Sequence, residues 1–239
     1  MARRLFYVDE IRAGRAWVRG ETAEHLRRVL RAEPGQVYEL SDGEAVWLGR
    51  IGHCGREEVE FELLAPAALV RAPADVHLLA ALVKFDRFEW MLEKATELGV
   101  AKITPVASLR SERGLEAAAR KRRERWQKIL REAGQQSRRV RPPVLEEVLE
   151  LKDALQSEAD QRLWLEEEPG ARPILDVLGA AAGRVALLCG PEGGWEERER
   201  SAAAAVGWTA VSLGPMILRA ETAALAAVAV VMAAKERGG

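Results

Sequence analysis

The chain has 239 residues and a formal net charge of −1, with 48% of its residues hydrophobic and 31% charged. That length suits one large or two modest domains with a real core. The two cysteines, Cys54 and Cys189, lie in separate segments and form neither a zinc pattern nor a disulfide framework, and the three histidines are scattered, so no metal is expected. No apolar leader opens the sequence, and the longest apolar run, Ala223 to Ala234, is too short to cross a bilayer, so a soluble, cytoplasmic chain with no membrane partner is expected.

In chain order, a helix is predicted over about Glu21 to Arg31, ahead of Pro34-Gly35. Three short β-type runs follow, Val37–Leu40, Ala45–Ile51 and Val59–Leu64, punctuated by Ser41-Asp42-Gly43 and by Gly52 to Gly55. An Ala/Pro linker, Ala65 to Pro73, marks a boundary. Beyond it the rhythm changes to strand–helix alternation. Strands are predicted at Val76–Val83, Ile103–Val106, Arg162–Leu165, Val185–Cys189 and Val211–Leu213. Helices are predicted at Arg87–Leu98, Leu115–Gly134 and Glu221–Arg237. The expected fold class is α/β, a parallel sheet preceded by a small β-rich barrel, divided as residues 1–70 and 71–239.

Two of these strands break into Gly/Pro turns. Cys189 is followed by Gly190-Pro191-Glu192-Gly193-Gly194-Trp195, and Leu213 by Gly214-Pro215-Met216-Ile217-Leu218-Arg219-Ala220-Glu221-Thr222. Strand ends that open into glycine loops are where parallel α/β sheets bind ligands. Gly190, Gly193 and Gly194 leave no Cβ in a ligand's way and permit positive φ, while Pro191 and Pro215 stiffen the turns. What remains is a rigid edge of N–H and C=O groups suited to a flat base. A phosphate is disfavoured, because no P-loop pattern is present and Glu192 would repel an anion; no dinucleotide fingerprint follows any predicted strand. Ordinary strand–helix turns are the competing reading.

The near-neutral total hides a local asymmetry. From Arg110 to Arg141 twelve Lys and Arg stand against four Asp and Glu, about +8. Arg120-Lys121-Arg122-Arg123 and Ser137-Arg138-Arg139-Val140-Arg141 look like a polyanion-binding face; a solvated helix with internal charge pairs such as Glu124 and Lys128 is the alternative. Trp17, Trp47, Trp90 and Trp126 are candidates for base stacking or, more simply, for core. The final helix is apolar nearly all round, which suits a core or an oligomer interface.

These residues resemble a known family. Gly190-Pro-Glu-Gly-Gly194 with Leu213-Gly-Pro-Met-Ile-Leu-Arg-Ala-Glu-Thr-Ala223 resembles the SPOUT methyltransferases, and more narrowly the ribosomal RNA small subunit methyltransferase E family. Lys84-Phe-Asp-Arg87-Phe-Glu-Trp90, Lys94-Ala-Thr-Glu-Leu-Gly-Val100, Arg125-Trp-Gln-Lys-Ile129, Glu132-Ala-Gly-Gln-Gln-Ser-Arg138 and His25-Leu-Arg-Arg-Val-Leu-Arg31 with Pro34-Gly35 resemble it in the same order, over nearly the whole chain. Met216, Ala220 and Trp195 depart from its usual Arg, Thr and Phe.

The resemblance implies a PUA-like RNA-binding domain over residues 1–70. It implies a SPOUT domain over 71–239 with a C-terminal trefoil knot from about residue 160, and a homodimer. It implies S-adenosylmethionine, and no metal, against Leu165, Glu166, Leu188, Cys189, Gly190, Gly193, Gly194, Leu213, Gly214, Ile217 and Leu218. The implied reaction is methylation of a uridine N3 in 16S ribosomal RNA, within the small ribosomal subunit. Arg219 would stabilise the deprotonated uracil or hold a phosphate, and Glu221 would take the proton, orient Arg219 or cap the last helix; plain N-capping is the competing reading for Glu221 and Thr222. RNA would be held by Arg3, Arg4, Arg27, Arg28, Arg31, Arg122, Arg138 and Arg139. The alternatives are a SPOUT methyltransferase of another RNA, such as tRNA, and a non-catalytic RNA-binding or ribosome-assembly protein.

Overall fold

The computed structural model describes residues 4–111, 114–168, 170–179 and 183–238. They group into two compact units, one of Met1–Arg71 with Arg131–Pro142, the other of Ala72–Leu130 with Pro143–Gly239. Arg3 lies outside the described residues.

The first unit is built on a six-stranded sheet. Its strands are β1 (Leu5–Tyr7), β2 (Glu10–Arg12), β3 (Arg15–Arg19), β4 (Val37–Ser41), β5 (Val46–Cys54) and β6 (Glu58–Pro66), with helix α1 (Gly20–Arg28) after β3. They pair in the order β1-β4-β5-β6-β3-β2. Only β1 and β4 run parallel. The first three strands were not among the predicted elements. β3 carries a period-2 signal all the same: Ala16 and Val18 are buried, while Arg15 and Arg19 point out to Glu60 and Glu58 on β6. Phe6, Ala16, Val18, Ala23, Leu26, Leu40, Ile51, Val59 and Phe61 form the core. Helix α1 stops short of the predicted Arg31 because Arg31 itself is left-handed, at φ 49°. The Ala32 N–H then reaches back to the Leu26 carbonyl at 2.9 Å, closing the last turn.

Residues 131–142 are pinned to this sheet by polar bonds. Gln135 Oε1 accepts from the Tyr7 N–H, Arg131 donates to the Tyr7 carbonyl, and Ser41 Oγ donates to the Val140 carbonyl. Arg138 grips the buried Glu39 carboxylate through two nitrogens.

The second unit alternates strands and helices: β7 (Asp75–Ala81), α2 (Phe85–Glu97), β8 (Lys102–Ala107), α3 (Leu115–Lys121), the part of α4 (Arg123–Gln136) up to Leu130, β9 (Val144–Leu145), β10 (Leu149–Glu150), α5 (Leu151–Ala154), β11 (Gln161–Leu165), β12 (Arg172–Pro173), α6 (Ile174–Val177), β13 (Arg184–Cys189), α7 (Glu197–Ala205), β14 (Thr209–Ser212) and α8 (Ala220–Gly238). All pairings are parallel, in the order β10-β8-β7-β13-β11-β14-β12 with β9 also on β8. A parallel sheet is covered on both faces. Alternate side chains supply two cores here: Leu78, Ile103, Leu163, Leu187 and Val211 with Phe88, Trp126 and the buried stripe of α8 on one face, and Leu79, Val106, Trp164, Ala186 and Leu188 with Leu155, Ala203 and Trp208 on the other.

The single helix predicted from Leu115 to Gly134 is two. Arg122 sits at φ −95°, ψ 0°, and its N–H bonds three residues back to Ala119, which ends α3 before α4 begins. Helix α8 buries a stripe, Ala224, Ala227, Val228, Val231 and Met232, and leaves Ala226, Ala229 and Val230 half-buried on its other side. Among the described residues no helix is long and apolar enough to cross a membrane.

Candidate functional site

β13, β11 and β14 are adjacent in the sheet, and their C-terminal ends open into the two glycine loops and an acidic loop, Glu166-Glu167-Glu168. These three loops wall a cavity of about 470 Å³, within the range of small-molecule sites. The parallel register carries the loops to one edge: Leu165 pairs with Val211, Trp164 with Leu188.

Each loop is fixed by its own residues. Glu166 accepts the N–H groups of Glu167 and Glu168 and takes a 2.7 Å bond from Arg200 Nε. Burial raises the pKa of this carboxyl, but the Arg200 bond and the loop amides outweigh it and hold it below the usual carboxylate range. In the loop after β13, Gly194 bonds back to Pro191 at 3.0 Å with φ 69°, so position 194 needs the left-handed freedom that glycine gives. Arg110 donates to the Gly193 carbonyl at 2.7 Å, and Trp195 Nε1 to the Leu165 carbonyl at 3.0 Å. In the loop after β14, the Gly214 N–H bonds Ser212 Oγ at 3.1 Å, and Gly214 is at φ 124°.

Of the sequence-predicted cofactor residues, Leu165, Glu166, Cys189, Gly190, Gly194, Leu213, Gly214, Ile217 and Leu218 line the cavity. Leu188 and Gly193 do not. The Leu188 side chain points into the core beneath, with Trp164 and Trp195. The Cys189 thiol is pushed up to about 12 by burial, so it is a neutral wall and not a nucleophile. Sequence reasoning assigned no role to Glu167, Glu168, Ser212 or Ala223, which also line the cavity; the acidic run directly after an apolar strand was the signal for the first two. The cavity edge suits a purine: apolar Leu213, Ile217 and Leu218 beside exposed loop backbone, and carboxylates where a cation or hydroxyls need partners.

The three predicted catalytic residues stand beside this cavity and do not line it. Arg219 is exposed between the lining residues Leu218 and Ala220, and its carbonyl accepts the first intrahelical bond of α8, from Ala223 at 2.8 Å. Glu221 is only 6% exposed. Its Oε1 lies 4.0 Å from Arg87 Nε and its Oε2 has no hydrogen-bond partner. Arg87 also pairs with Glu192 in the loop after β13, so one guanidinium on α2 serves both glycine loops' neighbourhoods. Thr222 is exposed in the first turn. Among the described residues no cluster of His, Cys, Asp or Glu could hold a metal ion.

The predicted RNA-binding arginines divide by what they already bond. Arg122 donates to Glu89 at 2.9 Å and lies over the Phe85 ring, Arg138 grips Glu39, and Arg28 pairs with Glu24. Burial lowers the pKa of Arg139, which is not an open surface charge. Three more arginines of the basic segment are engaged in the same way: Arg120, Arg123 and Arg125 bond carboxylates or backbone carbonyls. Arg4 is exposed; Arg27 has its Nε buried without a partner. Trp126 is core against Phe88, while Trp90 is 47% exposed.

The RNA methyltransferase domain family matches residues 70–232 of this chain. The ribosomal RNA small subunit methyltransferase E of Mycobacterium bovis is 33% identical over 245 aligned residues, covering 97% of this chain and 92% of that protein. The Bacillus subtilis protein of the same name is 33% identical, covering 90% of this chain and 88% of its own length. The crystal structure of a ribosomal RNA small subunit methyltransferase E from Neisseria gonorrhoeae bound to S-adenosyl methionine superposes with a TM-score of 0.88 at 31% identity, covering 97% of this chain and 98% of that one.

Proposed function

Because the chain belongs to the ribosomal RNA small subunit methyltransferase E family, we propose that it methylates N3 of a uridine in 16S ribosomal RNA, within the small ribosomal subunit, using S-adenosylmethionine. The observation that carries this reading is the cavity at the ends of β11, β13 and β14. Its volume, its glycine edge and its mix of apolar and acidic walls fit a nucleoside that carries a sulfonium.

S-adenosylmethionine supplies an electrophilic methyl group at that sulfonium. The chain's own residues do the rest. Backbone at Gly190, Leu213, Ile217 and Leu218 would hold the base, and the acidic loop after β11 would give the positive end a favourable field. Uridine N3 lies on the pairing edge and carries a proton, so the base must be unpaired, exposed and deprotonated before it reacts. Arg219, exposed beside the cavity at the start of α8, stabilises the uracil anion. Glu221 is held beside Arg87, leaving the proton's acceptor to a group brought by the RNA or by solvent. Alignment of the methyl with N3 supplies much of the rate.

Arg4, Arg27 and Arg31 of the first unit, read as a PUA-like RNA-binding domain, contact the RNA. The segment from about residue 160 is threaded as a trefoil knot, a reading supported by family resemblance and compatible with β14 pairing on β11. A cytoplasmic homodimer is favoured by the resemblance. The test is transfer of label from S-adenosylmethionine to undermethylated small subunits and to total transfer RNA, with nucleoside analysis. N3-methyluridine in small-subunit RNA is the expected product. Label in transfer RNA would move the substrate, and no label together with no cofactor binding would leave an RNA-binding protein.

A further inference from the structure

Trp195 is 2% exposed and lines the cavity. Three contacts fix it. Its Nε1 donates to the Leu165 carbonyl at the end of β11, 3.0 Å away. Its ring stacks on Trp164, with centroids 5.9 Å apart and planes 15° off parallel. Its edge occupies the space of a side chain at Gly190, where an added Cβ would stand 2.9 Å from Cε2, 3.0 Å from Nε1 and 3.3 Å from Cζ2. Gly190 is not among the glycines with positive φ. It is therefore a glycine for room, and the group that takes the room is the indole.

A buried tryptophan is often plain core, but core filling does not account for the bond. Trp126 and Trp164 in the same unit are buried with their Nε1 unpartnered, while the buried Trp208, which does not line the cavity, bonds the Leu155 carbonyl, so burial alone does not settle whether an indole N–H finds a partner here. Trp195 ties the loop after β13 to the last carbonyl of β11, and both segments are walls of one cavity. We propose that Trp195 is a positioning residue: a strut that holds these two walls at a fixed separation and so sets the fit of the nucleoside between them. It acts through Gly190 and Leu165 and not on the reacting atoms. The affinity part of the proposal rests on the cofactor reading above.

The strut is tested with Trp195→Phe, Gly190→Ala and the double variant. Phenylalanine keeps a ring on Trp164 but lacks the N–H and the outer ring that the methyl added by Gly190→Ala would strike. Calorimetry should find S-adenosylmethionine bound about fivefold more weakly by Trp195→Phe, from one lost hydrogen bond. Gly190→Ala should cost about tenfold or more, from overpacking. The double variant should bind no more weakly than Gly190→Ala alone, because the smaller ring admits the new methyl. The loss should appear as a raised KM for S-adenosylmethionine and not as a fall in kcat alone, since the strut sets binding. Losses that multiply in the double variant, or a fall in turnover with affinity unchanged, would overturn the proposal. If the wild-type protein binds no S-adenosylmethionine, the proposed function falls. The strut is then judged by urea midpoints of the same four proteins, where non-additivity upholds it and additivity removes it.

Discussion

His77 on β7 is 8% exposed, with Nε2 2.7 Å from Thr104 Oγ1 on the neighbouring strand. Burial, with a smaller push from Lys102, lowers its pKa from 6.5 to about 3. The unfolded chain takes up this proton near pH 6.5 and the folded chain does not, so between those values the unfolded state binds one proton more. Stability should therefore fall as the pH drops below about 6.5, by up to about 1.4 kcal/mol per pH unit from this residue, and should not depend on it above. Urea midpoints at pH 7.5 and 5 should show a smaller acid loss in His77→Gln; an equal loss would place the effect elsewhere. At the cavity, Arg219→Ala should lower turnover by about a hundredfold if it stabilises the uracil anion, as loss of a single such donor does elsewhere. It should leave the fold intact, because the side chain is exposed. Unchanged turnover would remove it from the mechanism.

At the scale of elements, the basic segment is where tertiary bonding redirects a sequence signal. Glu89 on α2 has a side chain only 12% exposed and bonds both Arg122, at the break between α3 and α4, and Arg125 on α4. The Arg125 bonds, and then those of Arg122, hold its carboxyl below the usual range despite burial. Glu89→Ala should lower the urea midpoint only slightly, since the two guanidiniums, 41% and 64% exposed, pass to water; a large drop would show the pair to be a structural tie. The same bonding shapes RNA binding. Arg4→Ala and Arg31→Ala should flatten the fall of RNA affinity with salt by about one phosphate contact each, while Arg122→Ala and Arg138→Ala should leave the slope alone. The opposite pattern in a salt titration would restore the basic segment as the RNA face.

On the scale of the whole molecule, the first unit is discontinuous. Residues 131–142 come from beyond the linker and supply Gln135 to the Tyr7 N–H, Arg138 to the buried Glu39, and the Val140 carbonyl to Ser41. A fragment ending at Arg71 would lose the Arg138 grip on Glu39 together with the bonds to Tyr7 and Ser41. It should show poor amide dispersion and no cooperative melt, and adding a peptide of residues 131–142 should restore both. A cooperative melt of the fragment alone would make the pinning segment dispensable.

The sequence by itself determined the local chemistry. Apolar runs ending in Gly/Pro turns mark β13 and β14 with their loops, and the run at Arg162–Leu165 marks β11, because buried parallel strands and sharp turns each leave a residue signature within a few positions. The first three strands escaped notice, being only three to five residues long. The kink at Arg122 and the side-chain partners of the arginines were decided only in three dimensions. A guanidinium reads the same in a sequence whether it faces a phosphate or a carboxylate from a distant part of the chain. Gly190 belongs to the same class: its lack of a side chain looked like conformational freedom or room for a ligand, and the packed structure shows it to be room for Trp195.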